Sequence, residues 1–153
     1  MSIKINYSNK AINNSSTNLA LFTDEKFNIS NLKKYVSNSE FSYINDLLKT
    51  SDLKKNIFVF ELNSKRKIVL ISIKKNIKTF DVENLGAEFY GRINHEEKSH
   101  YFINSDTIIS KQENFIGYFL HGIKLKSYEF KKYKSKNESK NISINVFGVK
   151  NSC

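Results

Sequence analysis

Apolar and polar positions alternate clearly at both ends of the chain. "SIKINY" sets Ile3, Ile5 and Tyr7 against polar neighbours, and "NISINVFGV" does the same with Ile142, Ile144 and Val146. A period of two is the signature of a strand with one buried face. "NLALFT", after an Asn/Ser-rich stretch, predicts a second strand. "NIFVFEL" and "KRKIVLISI" are continuous apolar runs of strand length, typical of strands covered on both faces. Asn63 and Ser64 lie in the short polar connection between them, which predicts a hairpin. "SHYFIN" predicts a further short strand.

Three segments follow a helical period instead. Around "SNLKKYV" and "SEFSYINDLLKT", Phe41, Ile44, Leu47 and Leu48 recur at steps of three and four, with Ser39 placed as an N-cap. "DVENLGAEFYGRI" puts Val82, Leu85, Phe89 and Ile93 on one stripe, with Asp81 as its cap. A third helix is predicted over residues 112–128, where Phe115, Phe119, Gly122, Ile123 and Lys126 share a face, flanked by Tyr118 and Leu125. Gly117 and Gly122 each cost a helix interior about 1 kcal/mol relative to alanine. Close approach to a neighbouring element would account for that cost. The order β-β-α-β-β-α-β-α-β describes an α/β domain. The two late helices are placed to cross over between parallel strands, and the hairpin makes the sheet mixed.

After Tyr128 the aromatics fall out of step. In "SYEFKKYK", Phe130 and Tyr133 read as anchors of an exit loop, with Lys131, Lys132 and Lys134 facing water. The competing reading has Tyr128 or Tyr133 stacking on bases while lysines follow phosphates.

Composition bears on that choice. The formal net charge of +10 suits an acidic partner such as nucleic acid. However, Arg66 and Arg92 are the only arginines, and arginine is the better reader of phosphate and guanine edges. Abundant Lys, Asn, Ile, Phe and Tyr with no proline is the skew of an AT-rich genome, so packing is the favoured reading. At 153 residues the chain suffices for one domain. It has no apolar run of membrane-spanning length and no signal-like start. The single cysteine, Cys153, permits no intrachain disulfide. A cytoplasmic location is expected.

No catalytic, cofactor-binding or metal-binding residues are expected. His95, His100 and His121 are dispersed, and "NHEEKSH", with Glu96 and Glu97, reads as a solvated loop. No nucleophile triad, P-loop or dinucleotide fingerprint is present. Asp81, Glu83 and Glu88 lie on a helix whose N-terminal dipole favours acidic residues. Cys153 lies at a chain end, where a structured nucleophile pocket is rare.

The segment "HGIKLKSYEFKKYKSK" resembles the end of the N-terminal domain of the leucyl aminopeptidase (cytosol aminopeptidase) family, a Gly-x-x-Leu-x-x-Tyr-x-Phe-x-x-Tyr-Lys pattern. The matching residues are Gly122, Leu125, Tyr128, Phe130, Tyr133 and Lys134. "NLALFT", "INDLLKTSDLKKN", "KIVLISIKK" and "DVENLGAEFYGRI" are similar in order, with Gly86 and Ala87 at small positions. One departure is Ser72-Ile73-Lys74-Lys75, where the family has a Gly-Leu-Gly-Lys-like turn. The resemblance implies a macro-domain-like three-layer sandwich spanning residues 1–153 as a single non-catalytic domain. It also implies a parent metalloprotease, a hexamer using two zinc or manganese ions in a separate catalytic domain of the same polypeptide. This domain would support assembly and substrate access. The alternative function is a basic nucleic-acid-binding module.

Overall fold

The computed structural model describes residues 2–8, 18–52, 54–63, 66–93, 98–108, 114–133 and 141–147. Six strands form one sheet: β1 Ser2–Ser8, β2 Asn18–Asp24, β3 Ile57–Asn63, β4 Arg66–Ile73, β5 Lys98–Asn104 and β6 Asn141–Phe147. Their spatial order is β1-β6-β5-β2-β4-β3. Every neighbouring pair is parallel except β3 with β4, which is the antiparallel hairpin that the Asn63/Ser64 connection predicts. The helices are α1 Asn38–Lys49, α2 Thr79–Ile93 and α3 Phe115–Tyr133, with 3-10 turns at Ser30–Tyr35 and Ser105–Thr107. This is the mixed α/β sheet flanked by helices that the sequence pattern describes.

Two cores lie on opposite faces. On one, α2 and α3 cover the sheet: Phe89 and Phe119 pack on Ala20, Phe22, Val69, Ile71, Tyr101, Ile103, Ile142 and Ile144. The partly buried Ile5 of β1 joins them, and the alternating Ile142, Ile144 and Val146 of β6 point inward as expected. On the other face α1 and the first 3-10 turn cover Leu19, Leu21, Phe60, Ile68, Leu70 and Phe102. That cover ends at Phe102. Beyond it, the same face of β5, β6 and β1 presents His100, Ser143, Asn145, Lys4 and Asn6, all exposed or half-exposed. The sandwich thus has three layers over β2, β4 and β3. Among the described residues, the rest of that face is polar and uncovered.

The hairpin's two apolar runs are not equivalent. β4 lies between β2 and β3 and is buried almost throughout, whereas β3 is the sheet edge, with Phe58 and Val59 half-buried and Glu61 exposed. Both strands are covered on both faces, Ile57 of β3 in one core and Phe60 in the other, but the edge position leaves β3 less completely buried than β4.

Helix boundaries differ from the sequence reading in four places. "SNLKKY" is a 3-10 turn separate from α1. The N-cap of α1 is Ser37 and not Ser39: Ser37 Oγ accepts from the Glu40 N–H at 3.2 Å, and Glu40 Oε1 accepts from the Ser37 N–H at 2.9 Å. Glu three residues after a Ser cap closes the reciprocal pair that Ser39 lacks. Asp81 is the third residue of α2 rather than its cap, and its carboxylate accepts from the Lys78 N–H at 3.3 Å. α3 starts at Phe115 and runs on to Tyr133, so "SYEFKKY" is helix and not an exit loop. Lysine and glutamate are adequate helix formers, and no glycine or proline interrupts the turns after Gly122.

Tyr128, on that extension, is 61% exposed and Leu125 is 49% exposed. The side chains of Phe130 and Tyr133, expected as anchors, lie outside the described residues. So do the backbones of Lys134, His95, Glu96, Glu97 and Cys153. The backbones of α2 and α3 touch at Gly86 and Gly122. Gly117, expected to serve the same purpose, differs: the atoms nearest to a Cβ there belong to the Asn114 side chain just before the helix, the closest at 2.5 Å, and not to another element's backbone.

Candidate functional site

In parallel α/β sheets, ligands bind beyond the carboxyl ends of the strands, where the order of connection reverses. Here that place lies between β2 and β5. β2 leads towards β3 and β4 on one side, while β5 continues to β6 on the other. The β2–β5 ladder is short, running only from Asn18↔Tyr101 to Ala20↔Ile103. The two strands then part, and the turn Ser105–Thr107 sits against β2. The Phe22 N–H donates to Thr107 Oγ1 at 2.9 Å, and the same hydroxyl donates to the Asn104 carbonyl at 2.8 Å. One buried threonine therefore satisfies a β2 N–H just beyond the last β2–β5 pair. Thr23, Asn104 and Ser105 are buried nearby.

The segments that follow β2, β4 and β5 lack the glycines of a phosphate cradle. Such cradles rely on glycine so that backbone N–H groups can approach a phosphate. The glycines of this chain are Gly86, Gly91, Gly117, Gly122 and Gly148, so segments 24–29, 74–78 and 105–114 contain none. After β2 the chain instead folds on itself. Asp24 Oδ1 accepts from the N–H groups of Lys26 and Asn28, both at 3.0 Å. Phe27 takes a left-handed backbone (φ 56°) that brings its ring edge-on to Phe58, 4.8 Å between centroids.

The same sheet edge does hold a polar cleft of about 430 Å³, outward from the crevice, between the β4–α2 loop and one side of α2. Lys74, Lys75 and Asn76 line it from the loop, Asp81, Asn84 and Glu88 from the helix, and Asn56 and Ser72 from the sheet. Asn76 has a left-handed backbone (φ 64°), which asparagine tolerates. Asp81, Asn84 and Glu88 fall at steps of three and four, one stripe of α2. Asn56 Nδ2 donates to Glu88 Oε1 at 3.3 Å. Sequence reasoning treated Asp81 and Glu88 only as dipole partners. That they share a cleft with the Lys74-Lys75 pair was hidden because the two groups belong to different elements.

The two described histidines, His100 and His121, are not gathered. His100 on β5 takes the Asn145 amide at Nε2, 2.7 Å away, while His121 Nδ1 pairs with the Glu83 carboxylate across the α2–α3 contact. Among the described residues no group of three or more His, Cys, Asp or Glu is placed to hold a metal ion. Nor, among them, is any helix long and apolar enough to cross a membrane.

No protein-family model matches the chain, and no curated protein matches it in sequence. Solved structures do match its fold. A mutant of tomato leucine aminopeptidase superposes with a TM-score of 0.65 at 14% identity, over 97% of this chain and 33% of the aminopeptidase. The macrodomain of Thermus aquaticus DarG superposes with a TM-score of 0.56 at 11% identity, over 94% of this chain and 99% of that one. The fold is macrodomain-like, and the chain spans about one third of the aminopeptidase's length.

Proposed function

We propose that this chain is a non-catalytic domain of the leucyl aminopeptidase N-terminal type. In this reading it supports assembly and substrate access in a larger cytoplasmic enzyme, whose separate catalytic domain removes N-terminal residues from peptides. The observation that carries the reading is the superposition of 97% of the chain on part of an aminopeptidase. The Thr107 hydroxyl bonded to the Phe22 N–H and the glycine-free segments after β2, β4 and β5 favour a scaffold over a nucleotide-cradling macrodomain. The two zinc or manganese ions and the hexamer belong, in this reading, to the parent enzyme. The test is turnover of leucine p-nitroanilide with manganese. The chain by itself is expected to give none, and sustained turnover that co-purifies with it contradicts the proposal.

One observation favours a second reading, a basic nucleic-acid-binding module. Tyr128 and Leu125 stand exposed on α3 beside Lys124, on a chain of net charge +10. An exposed aromatic amid lysines is suited to stacking on a single strand. This reading predicts micromolar binding to an oligonucleotide, with a steep salt dependence and a loss on Tyr128→Ala. A flat anisotropy titration at low salt eliminates it.

A further inference from the structure

We infer that the free edge of β3 is a self-association surface, through which two copies of the chain pair antiparallel about a two-fold axis at Val59. The inference goes beyond the scaffold reading and rests on the strand itself. β3 ends the sheet, with β4 on one side only. The Asn56 carbonyl accepts from the Ser72 N–H at 2.9 Å, which marks a bonded pair of the ladder. Bonded and unbonded pairs alternate along antiparallel strands. Phe58↔Leu70 and Phe60↔Ile68 are therefore the next bonded pairs, and Ile57, Val59 and Glu61 turn their N–H and C=O groups away from β4. Native edges are commonly blunted by lysine, proline or a bulge. Here the irregularity falls beyond Glu61, between it and Asn63, and Ile57–Glu61 contains neither lysine nor proline.

The side chains select a second copy as the occupant. A two-fold axis at Val59 sets Ile57 opposite the partner's Glu61 and Val59 opposite the partner's Val59. Every outward backbone group of these residues then meets its complement. On the α1 face the same axis sets Phe58, half-buried, opposite the partner's Phe60. Aromatic pairs across strands stabilise a sheet. Charge fits the same register. Lys55 is exposed just before the strand, and Glu61 near its end has a side chain 73% exposed. Diagonal neighbours on paired strands also interact, so Lys55 of each copy comes beside the partner's Glu61. An axis at Glu61 would instead put two carboxylates face to face. So short a contact lies at the small end of specific interfaces, and a weak dimer, with a dissociation constant on the order of 100 µM, is expected.

The test follows the intact chain by sedimentation and amide hydrogen exchange from about 10 µM to 1 mM, a span that brackets this constant. A monomer–dimer equilibrium is expected. Exchange at Ile57, Val59 and Glu61 should slow as concentration rises, while Phe58 and Phe60, already bonded to β4, stay protected throughout. This arm uses the parent chain and does not depend on any variant folding. Glu61→Lys and Lys55→Glu, both at exposed positions, should each weaken association about tenfold. An equimolar mixture of the two variants should restore it, because opposite charges then meet at both ends of the contact. Failure here would leave the scaffold reading standing, since that reading turns on peptidase activity. Three results would each overturn the inference: a monomer at the highest concentration, a dimer in which Ile57, Val59 and Glu61 exchange as in the monomer, or charge variants that associate no differently alone and mixed.

Discussion

Gly86 and Gly122 are mutual contact points of α2 and α3. A Cβ on Gly86 would lie 2.0 Å from the Phe119 carbonyl oxygen, and one on Gly122 would lie 1.9 Å from the Glu83 carbonyl oxygen. Each glycine admits the backbone of the opposite helix, and this close approach lets Phe89 and Phe119 meet beneath it, 5.5 Å between ring centroids. Both obstructing atoms are backbone, which cannot rotate aside. Gly86→Ala and Gly122→Ala should therefore each destabilise the domain by about 3 kcal/mol, despite alanine's better helix propensity. Gly91→Ala is the internal control. Nothing lies within 4 Å of its added methyl, so it should stabilise by about 0.5–1 kcal/mol. Urea melts of the three variants separate close packing from propensity.

Much of the fold was legible in the sequence because its signals are local. Period-two alternation in β1 and β6 and the α2 stripe from Val82 to Ile93 each declare one buried face, and the apolar runs of β3 and β4 declare two. Gly122 was legible as a close-approach residue because glycine is expensive in a helix. What stayed hidden depends on partners distant in sequence. Ser37 and Ser39 are equally good caps until Glu40 chooses between them. The edge position of β3 is a fact of strand order, which its own apolar run does not encode. The aromatics after Tyr128 lost helical phase only if every ring had to be buried; Tyr128 is helical and exposed. Likewise, the cleft joins a lysine pair to a helix stripe that the chain writes separately.

Glu40 joins helix to sheet. Besides closing the cap with Ser37, its Oε2 accepts from Arg66 Nε at 2.7 Å, where Arg66 is only 5% exposed at the start of β4. Ser37→Ala removes one cap bond and should cost about 1 kcal/mol. Glu40→Ala removes the reciprocal cap bond and takes the carboxylate from a buried guanidinium. It should cost about 3 kcal/mol or more. Chemical denaturation of both variants checks the ranking, and equal losses would show that the Arg66 contact adds nothing.

Thr107 is the keystone of the β2–β5 divergence. Thr107→Val keeps the volume but removes both the acceptor for the Phe22 N–H and the donor to Asn104. A loss of about 2 kcal/mol is expected. Amide hydrogen exchange should show Phe22 losing protection before the β2–β4 ladder does.

Tyr90 gives the fold an alkaline limit. Burial on α2 raises its phenol above the usual value near 10. The native state thus holds the proton at a pH where the unfolded chain releases it. The associated stability is complete below about pH 10 and declines as pH rises from there towards the raised native value. In Tyr90→Phe this part of the decline should vanish. Denaturation midpoints from pH 8 to 11, parent against variant, measure it, and parallel curves would refute the assignment.

The central claim, a scaffold with no peptidase centre of its own, is tested most directly by mass spectrometry. Peptides with N-terminal leucine would be incubated with the purified chain in zinc or manganese and their products weighed. The account predicts no loss of the N-terminal residue beyond the metal-only blank. Trimming that elutes with the chain and stops on chelation would contradict it.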